Sequence, residues 1–507
     1  MRNFRQPIAC LVALTVIAPL LPAAMEYHIS FSADAHPKSY TGRVYLFFAT
    51  PGQEPRNGPN WFHPQPFCSL DVVDWKPGEV LTITADTEHL RSFPKPLAEL
   101  DVRGLQVQAV ARFNPWDRRV GNGAGNGFSA PQAVQDEANF SLVIDQLVPE
   151  RTFPETEQRK LFEIRSELLS DFHQRDIFIR GGVLLPPGYA EHPDRRYPVI
   201  YEIPGFGGTH FDVGRWRPVQ LVAADGTEFI LVMLDPSCPL GHHVFADSAV
   251  NGPWGRGLTE EFLPALDREF RTVASPTARF LTGHSSGGWS SLWLQIAYRQ
   301  HFGGTWSTSP DPVGFRDFQR INLYADESMY VDPNGERRPL ARMQGQPALW
   351  YDDFARMEDV LGYGGQLHSF EATFSPAMQE RPVPNEARML NAPPAPHPVP
   401  APLWNRVDGK IDHAVAQHWK HYDMVQLLDQ HWPEWGDELR HKIRVIMGEA
   451  DTFYLEGASR DLKKCLERYQ AGELVELLPE KTHFDLLTRE LRQQIVDEMA
   501  TKYRAAQ

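Results

Sequence analysis

Arg279-Phe-Leu-Thr-Gly-His-Ser-Ser-Gly-Gly288 is the stretch on which the reading of this chain turns. Apolar residues run into Gly283, and Gly-x-Ser-x-Gly follows as Gly283-His284-Ser285-Ser286-Gly287. Beyond it Trp289, Leu292, Trp293 and Ile296 recur at three- and four-residue steps, so a helix is expected there. Strand, tight glycine-framed turn and helix form the context in which this motif lifts a serine hydroxyl clear of the backbone. The helix N-terminus beside it offers free amides that favour an anion. A Gly/Ser turn between two core elements is the plainer reading of so short a motif. Gly288 and a downstream acid and histidine favour the reactive serine instead.

The elements around the turn extend the pattern. Tyr197-Pro-Val-Ile-Tyr-Glu-Ile and Glu228-Phe-Ile-Leu-Val-Met-Leu precede it as buried strands, and Thr259 to Arg271 has the spacing of an amphipathic helix. Thr305-Trp-Ser-Thr-Ser, Ile443-Arg-Val-Ile-Met and Val475-Glu-Leu-Leu follow as further strands. Strands alternating with helices predict an α/β fold, a mainly parallel sheet with helices on both faces. Its span is expected to be 176–507, interrupted over about 311–440 by an insertion too long for an ordinary crossover. The insertion contains Pro393-Pro-Ala-Pro-His-Pro-Val-Pro-Ala-Pro402 and is expected over the carboxyl edge of the sheet, where the sites of such folds lie.

Residues 25–150 read differently. Tyr27-His-Ile-Ser-Phe-Ser, Gly42-Arg-Val-Tyr-Leu-Phe-Phe, Glu79-Val-Leu-Thr-Ile83 and Leu105-Gln-Val-Gln-Ala-Val-Ala alternate apolar with polar between Pro/Gly turns. We expect a small β-sandwich of immunoglobulin-like type. Trp61, Phe62, Trp75 and Trp116 would serve a carbohydrate-stacking surface or the sandwich core, and core is the commoner use. Residues 151–175 form a junction, in which Leu161 to Leu169 suits helix or strand equally.

The chain has 507 residues and four cysteines, with a net charge of −15. Arg2 and Arg5, the apolar run Ile8 to Leu21, and Pro22-Ala23-Ala24 read as a secretory signal over residues 1–24. An exported protein, periplasmic or extracellular, is the expectation. Pro22 sits where a small residue is preferred at a cut site, which leaves an uncleaved anchor as the alternative. No later stretch is apolar enough to span a bilayer. Residues 1–24 hold two arginines and no acid, so without them 48 bases face 65 acids, a net charge of −17. Such a surface repels nucleic acid and anionic membranes. Cys68, Cys238 and Cys465 then remain, which allow at most one disulfide. No Cys/His spacing suggests zinc, and His242-His243 lacks a carboxylate at metal-site spacing.

A serine hydroxyl is a weak nucleophile at neutral pH and needs a base for its proton and donors for the oxyanion it creates. Asp451, in Met447-Gly-Glu-Ala-Asp-Thr just past a strand, is the acid that would orient the base, with Glu449 its rival. His483, in Glu480-Lys-Thr-His-Phe-Asp485, follows the last predicted strand and is the candidate base. His284 adjoins the nucleophile in sequence and is expected to point away from its hydroxyl. Pro204-Gly-Phe-Gly-Gly208 follows a core strand, and the amides of Phe206 and Ser286, with Gly207 as substitute for the first, are the candidate oxyanion donors.

Leu185-Pro-Pro-Gly-Tyr189, Tyr197-Pro-Val-Ile-Tyr201, Pro204-Gly-Phe-Gly-Gly208, Gly283-His-Ser-Ser-Gly-Gly288, Asp451 and His483 together resemble the esterase D-like branch of the α/β hydrolases. That branch includes S-formylglutathione hydrolases, feruloyl and acetylxylan-type esterases, enterochelin esterases and mycolyltransferases. The resemblance covers about 176–310 and 440–495. It implies an α/β-hydrolase fold and a Ser285–His483–Asp451 triad that hydrolyses carboxylic esters through an acyl-enzyme, without metal or organic cofactor. The substrate would be a small-molecule or polymer-linked ester. Asp235-Pro-Ser-Cys-Pro-Leu-Gly-His-His243 and Asn251-Gly-Pro-Trp-Gly255 depart from the simple pattern and look like pocket-edge material. A serine peptidase or an acyltransferase on the same triad, and a non-catalytic binding protein on a hydrolase scaffold, are the alternative readings.

Overall fold

The computed structural model describes residues 25–135, 139–379 and 393–507; the expected signal segment lies outside the described residues. The mainly parallel sheet has eight strands, ordered 159–166, 177–184, 230–234, 199–203, 279–284, 304–308, 443–448 and 475–478. The first two are antiparallel, and all pairings from 230–234 onward are parallel. The strand Val199–Ile203 shows why both faces are covered. Val199, Tyr201 and Ile203 join one cluster with Leu258, Phe262 and Leu294. Ile200 joins another with Ile495, Val496 and Met499 of the C-terminal helix Arg489–Ala505. Successive residues of a strand point to opposite faces, and here each face is buried under a helix.

The junction is both of the structures its pattern allowed. Arg159–Ser166 is a strand, and the Ser166 hydroxyl then caps the helix Glu167–His173 by accepting from the Leu169 amide.

Strands Glu26–Phe31, Tyr40–Ala49, Leu81–Ile83 and Gln106–Ala111 form where the alternation predicts. Phe67–Trp75 and Asn139–Leu147 join them in one hydrogen-bonded path of strands. That path doubles over itself: Tyr27 meets Phe48 at 5.8 Å and Phe31 meets Trp75 at 4.6 Å between ring centroids. The domain is thus β-rich and packed as two layers, although its layers are one continuous sheet. Strand Tyr40–Ala49 is apolar on both sides. Val44, Leu46 and Phe48 face the domain's own core, while Tyr45 and Phe47 face a second core shared with the insertion.

The insertion leaves the sheet after Thr308 and returns at Ile443. It contains a hairpin, Pro339–Met343 with Gln346–Trp350, and helices Tyr351–Leu361, Gln366–Phe374, His413–Trp419 and Met424–Leu439. The last carbonyls of Tyr351–Leu361 have no partner within the helix. The N-terminal domain supplies donors: Arg43 Nη1 to Asp359 O at 2.9 Å, Ser69 Oγ to Val360 O at 2.7 Å, and Tyr45 Oη to Leu361 O at 2.6 Å. The three described cysteines, Cys68, Cys238 and Cys465, are buried and free.

Candidate active site

Ser285 occupies the apex between strand Arg279–His284 and helix Ser286–Ala297, at φ 61° and ψ −126°. An L-residue adopts that conformation only under strain. The glycines flanking it are sterically required. A Cβ on Gly287 would lie 1.9 Å from the Ile203 carbonyl oxygen, and one on Gly283 would lie 2.2 Å from that of Gly287. The elbow therefore packs directly against the neighbouring strand end.

Asp451 and His483 enter from loops after the last two parallel strands, Ile443–Gly448 and Val475–Leu478. His483 Nδ1 is 2.8 Å from Asp451 Oδ2, and both side chains are buried. The carboxylate fixes the ring's proton on Nδ1 and leaves Nε2 as the free acceptor. The two loops touch through backbone. The Ala450 amide donates to the Lys481 carbonyl, and a Cβ on Gly448 would sit 2.2 Å from that oxygen. Glu449 instead faces Arg460 at 3.5 Å, so the rival acid is not the partner of His483.

Among the described residues His284 makes no hydrogen bond to the Ser285 hydroxyl, and it has a use of its own. Its Nε2 lies 3.0 Å from the His483 carbonyl oxygen, bracing the loop that carries the candidate base. Burial, with the neighbouring His483, pushes its pKa down to about 3, so the ring stays neutral and carries its proton on that nitrogen.

The oxyanion candidates lie beside the elbow. Ser286 is the first residue of its helix, so its amide has no carbonyl one turn back to bond. Among the described residues the amides of Phe206 and Gly207 also make no hydrogen bond. A Cβ on Gly205 would lie 3.2 Å from Ser285 Cβ, which measures how closely this loop passes the candidate nucleophile. His242, in the loop left without a role by its sequence, holds the loop's start: its Nε2 lies 3.0 Å from the Pro204 carbonyl oxygen. His243 stacks on Trp254 at 3.7 Å and is buried.

Ser285, His483 and Phe206 open on a cavity of about 560 Å³. Its walls come from three parts of the chain: Phe206 and Trp216 from the α/β domain, Phe354 and Phe370 from the insertion, and Trp61 and Phe62 from the N-terminal domain. Trp61 and Phe62 are thus not core residues of the β-domain, as their composition had suggested. Their loop extends beyond the sheet and finds its apolar partners, Phe206, Phe354 and Phe453, on the α/β domain and its insertion. Trp75 is core, and Trp116 packs under the Arg175 guanidinium at 4.0 Å.

One residue of the site has no counterpart in the sequence reading. Asp311 lies just past strand Gly304–Thr308, lines the cavity, and is buried. It accepts from Ser286 Oγ at 2.5 Å and is 3.4 Å from Ser285 Oγ, with Gln366 Nε2 at 3.4 Å. Burial pushes its pKa up to about 6, against hydrogen bonds from both serines. The available signal was positional, an acid directly after the strand neighbouring the nucleophile's. Among the described residues no group of His, Cys, Asp and Glu is arranged to hold a metal ion, and no helix is long and apolar enough to cross a membrane.

The strand order, the elbow and the loops gathered at the carboxyl edge define an α/β-hydrolase fold. A family model described as "Putative esterase" matches residues 176–468, and the chain belongs to that family. It is similar to "Esterase MT1326" and "Esterase Rv1288" of Mycobacterium tuberculosis strains CDC 1551 / Oshkosh and ATCC 25618 / H37Rv. Each is 29% identical over 151 residues, which is 29% of this chain and 33% of the relative. The chain thus spans about a third of the length of the curated relatives it matches. Among solved structures, a ferulic acid esterase aligns at a TM-score of 0.40 and 14% identity, over 68% of this chain and 99% of that one. An S-formylglutathione hydrolase from Agrobacterium tumefaciens aligns at 0.37 and 13%, over 68% and 94%.

Proposed function

We propose that the protein is an exported serine esterase that hydrolyses carboxylic esters through an acyl-enzyme. The observation that carries this reading is the buried His483–Asp451 pair at 2.8 Å, whose histidine lines the same cavity as the strained Ser285. Ser285 Oγ attacks the ester carbonyl while His483 Nε2 takes its proton. Asp451 stabilises the imidazolium that results. Charge gathers on the carbonyl oxygen, and the amides of Ser286 and Phe206 receive it, with Gly207 as substitute for the latter. His483 then protonates the departing alcohol, and later activates the water that releases the acid.

The aromatic walls favour an apolar or aryl acyl group, because each ring removed from water on binding adds to the affinity. Hydrolysis of short and long p-nitrophenyl esters by wild type and Ser285→Ala tests the reading. Turnover that the substitution abolishes supports it. No turnover, together with no labelling of Ser285 by a fluorophosphonate, overturns it. An ester compared with its matched amide separates esterase from peptidase. Export rests on the residue pattern of 1–24, and N-terminal sequencing of the protein from the periplasm and medium checks it.

A further inference from the structure

The middle of the oxyanion loop is held from outside the hydrolase domain. Within the loop, the Gly208 amide bonds the Gly205 carbonyl at 2.9 Å. His242 fixes the Pro204 end, and a capping box of Thr209 and Asp212 fixes the other. Phe206 and Gly207 stand between these anchors, with Gly207 at φ 91°. What locates Phe206 is its ring. The Arg118 guanidinium lies 4.6 Å from the ring centroid, and the Trp61 ring lies 5.8 Å from it. Both residues belong to the N-terminal β-domain.

Arg118 is itself firmly placed. Arg112 donates to the carbonyls of Tyr363 at 2.9 Å and Asp117 at 2.7 Å, and stacks on the Tyr363 ring at 3.6 Å. Tyr363 returns a bond from its hydroxyl to Pro115 O at 3.0 Å. Gly364 lies so close to Arg118 that a Cβ there would meet the Arg118 carbonyl oxygen at 2.9 Å. Among the described residues no carboxylate lies within 4.0 Å of the Arg118 guanidinium. Arg118 is partly buried, with Asp117 and Asp235 attracting it from farther off, and a partly buried cation gains more from an aromatic face than a fully exposed one does. Burial and the neighbouring Arg119 hold its pKa below the usual arginine range.

Resting on the esterase reading above, we propose that Arg118 of the N-terminal β-domain is a positioning residue of the active site, holding Phe206 so that the oxyanion loop presents its amide to the reacting carbonyl. The β-domain is then a part of the catalytic site, and the contact acts on the transition state more than on substrate binding. Losing one oxyanion donor costs about 10²- to 10³-fold, so loosening one should cost less.

The test measures kcat and KM for p-nitrophenyl acetate in the full chain, for wild type, Arg118→Met, Phe206→Leu and the double variant. Active sites are titrated with a fluorophosphonate, so misfolded protein does not enter the rates. The expected result is a fall in kcat of about 10-fold or more in Arg118→Met, with KM within about twofold. The double variant should be no slower than the slower single one, because both changes release the same ring. Arg118→Lys, which keeps a cation over the ring, should recover part of the loss. A kcat for Arg118→Met within twofold of wild type overturns the proposal, and so does a double variant whose loss is the product of the two single losses. Either result with an active wild type leaves the esterase reading standing. A wild type that neither hydrolyses esters nor reacts with the fluorophosphonate overturns both.

Discussion

Asp311 accepts the Ser286 hydroxyl at 2.5 Å and lies 3.4 Å from the Ser285 hydroxyl, so a second buried carboxylate besides that of Asp451 adjoins the candidate nucleophile. Desolvation raises its pKa to about 6 from an ordinary 3.8, with Asp451 adding to the rise and His483 and the two serines opposing it. A raised carboxyl favours folding while it is protonated. Its contribution is complete below about pH 4 and is lost as pH climbs through about 6. Two units correspond to about 3 kcal/mol. Asp311→Asn is uncharged throughout, so between pH 4 and 7 its stability should gain on wild type by up to about that amount. Urea unfolding at both pH values measures it, and an unchanged difference between the two proteins would show that the carboxyl does not titrate in this range.

Ser285 is held where a glycine would be at ease. Ser285→Ala and Ser285→Gly should both lose about 10⁵-fold or more in kcat/KM. The glycine variant should also be the more stable of the two by about 1 kcal/mol, since φ 61° costs it nothing. Thermal unfolding of the pair isolates the backbone strain from the chemistry. Equal melting temperatures would mean that the elbow is relaxed.

Asp451→Asn keeps the shape of the buried acid and removes its charge. The amide no longer selects the His483 tautomer with a free Nε2, and kcat is expected to fall by about 10⁴ with KM little changed. Steady-state kinetics on a p-nitrophenyl ester checks this. A fall of less than tenfold would assign the orienting role elsewhere, with Asp311 the first candidate.

Gly287→Ala should cost about 4 kcal/mol or more, because the added methyl meets the backbone carbonyls of Ile203 at 1.9 Å and Pro204 at 2.9 Å. Neither can swing aside as a side chain would. Soluble yield and melting temperature report it, and a variant that folds like wild type would show that the strand end shifts freely.

Phe484 is 66% exposed, yet it lines the cavity next to His483. Phe484→Ala should leave stability within about 0.5 kcal/mol of wild type. It should raise KM for long-chain or aryl esters several-fold while sparing the acetate, because only a long acyl group reaches the rim. A parallel rise in KM for acetate would mean that the ring shapes the reacting centre itself.

Much of this molecule was written locally. The elbow needs Gly283 and Gly287 flanking Ser285, and those three residues at alternate positions announce it. Period-two strands and the helix after Ser285 follow from apolar spacing alone. The order of serine, acid and histidine was legible because each follows a strand, and parallel strands deliver their carboxyl ends to one edge. What the sequence could not express was contact between distant segments. Asp311 reads as one more loop acid until strand Gly304–Thr308 is seen beside the nucleophile's strand. His284 becomes a brace only because the His483 carbonyl lies 3.0 Å from it. Trp61 and Phe62 look like core until the β-domain docks on the insertion through Arg43, Tyr45 and Ser69. Spacing along the chain determines which faces are apolar and where the backbone must turn, since those preferences act over a few residues. Which faces then meet, and hence the walls of the cavity and the surroundings of each carboxylate, depends on packing across hundreds of residues, which only the tertiary structure decides.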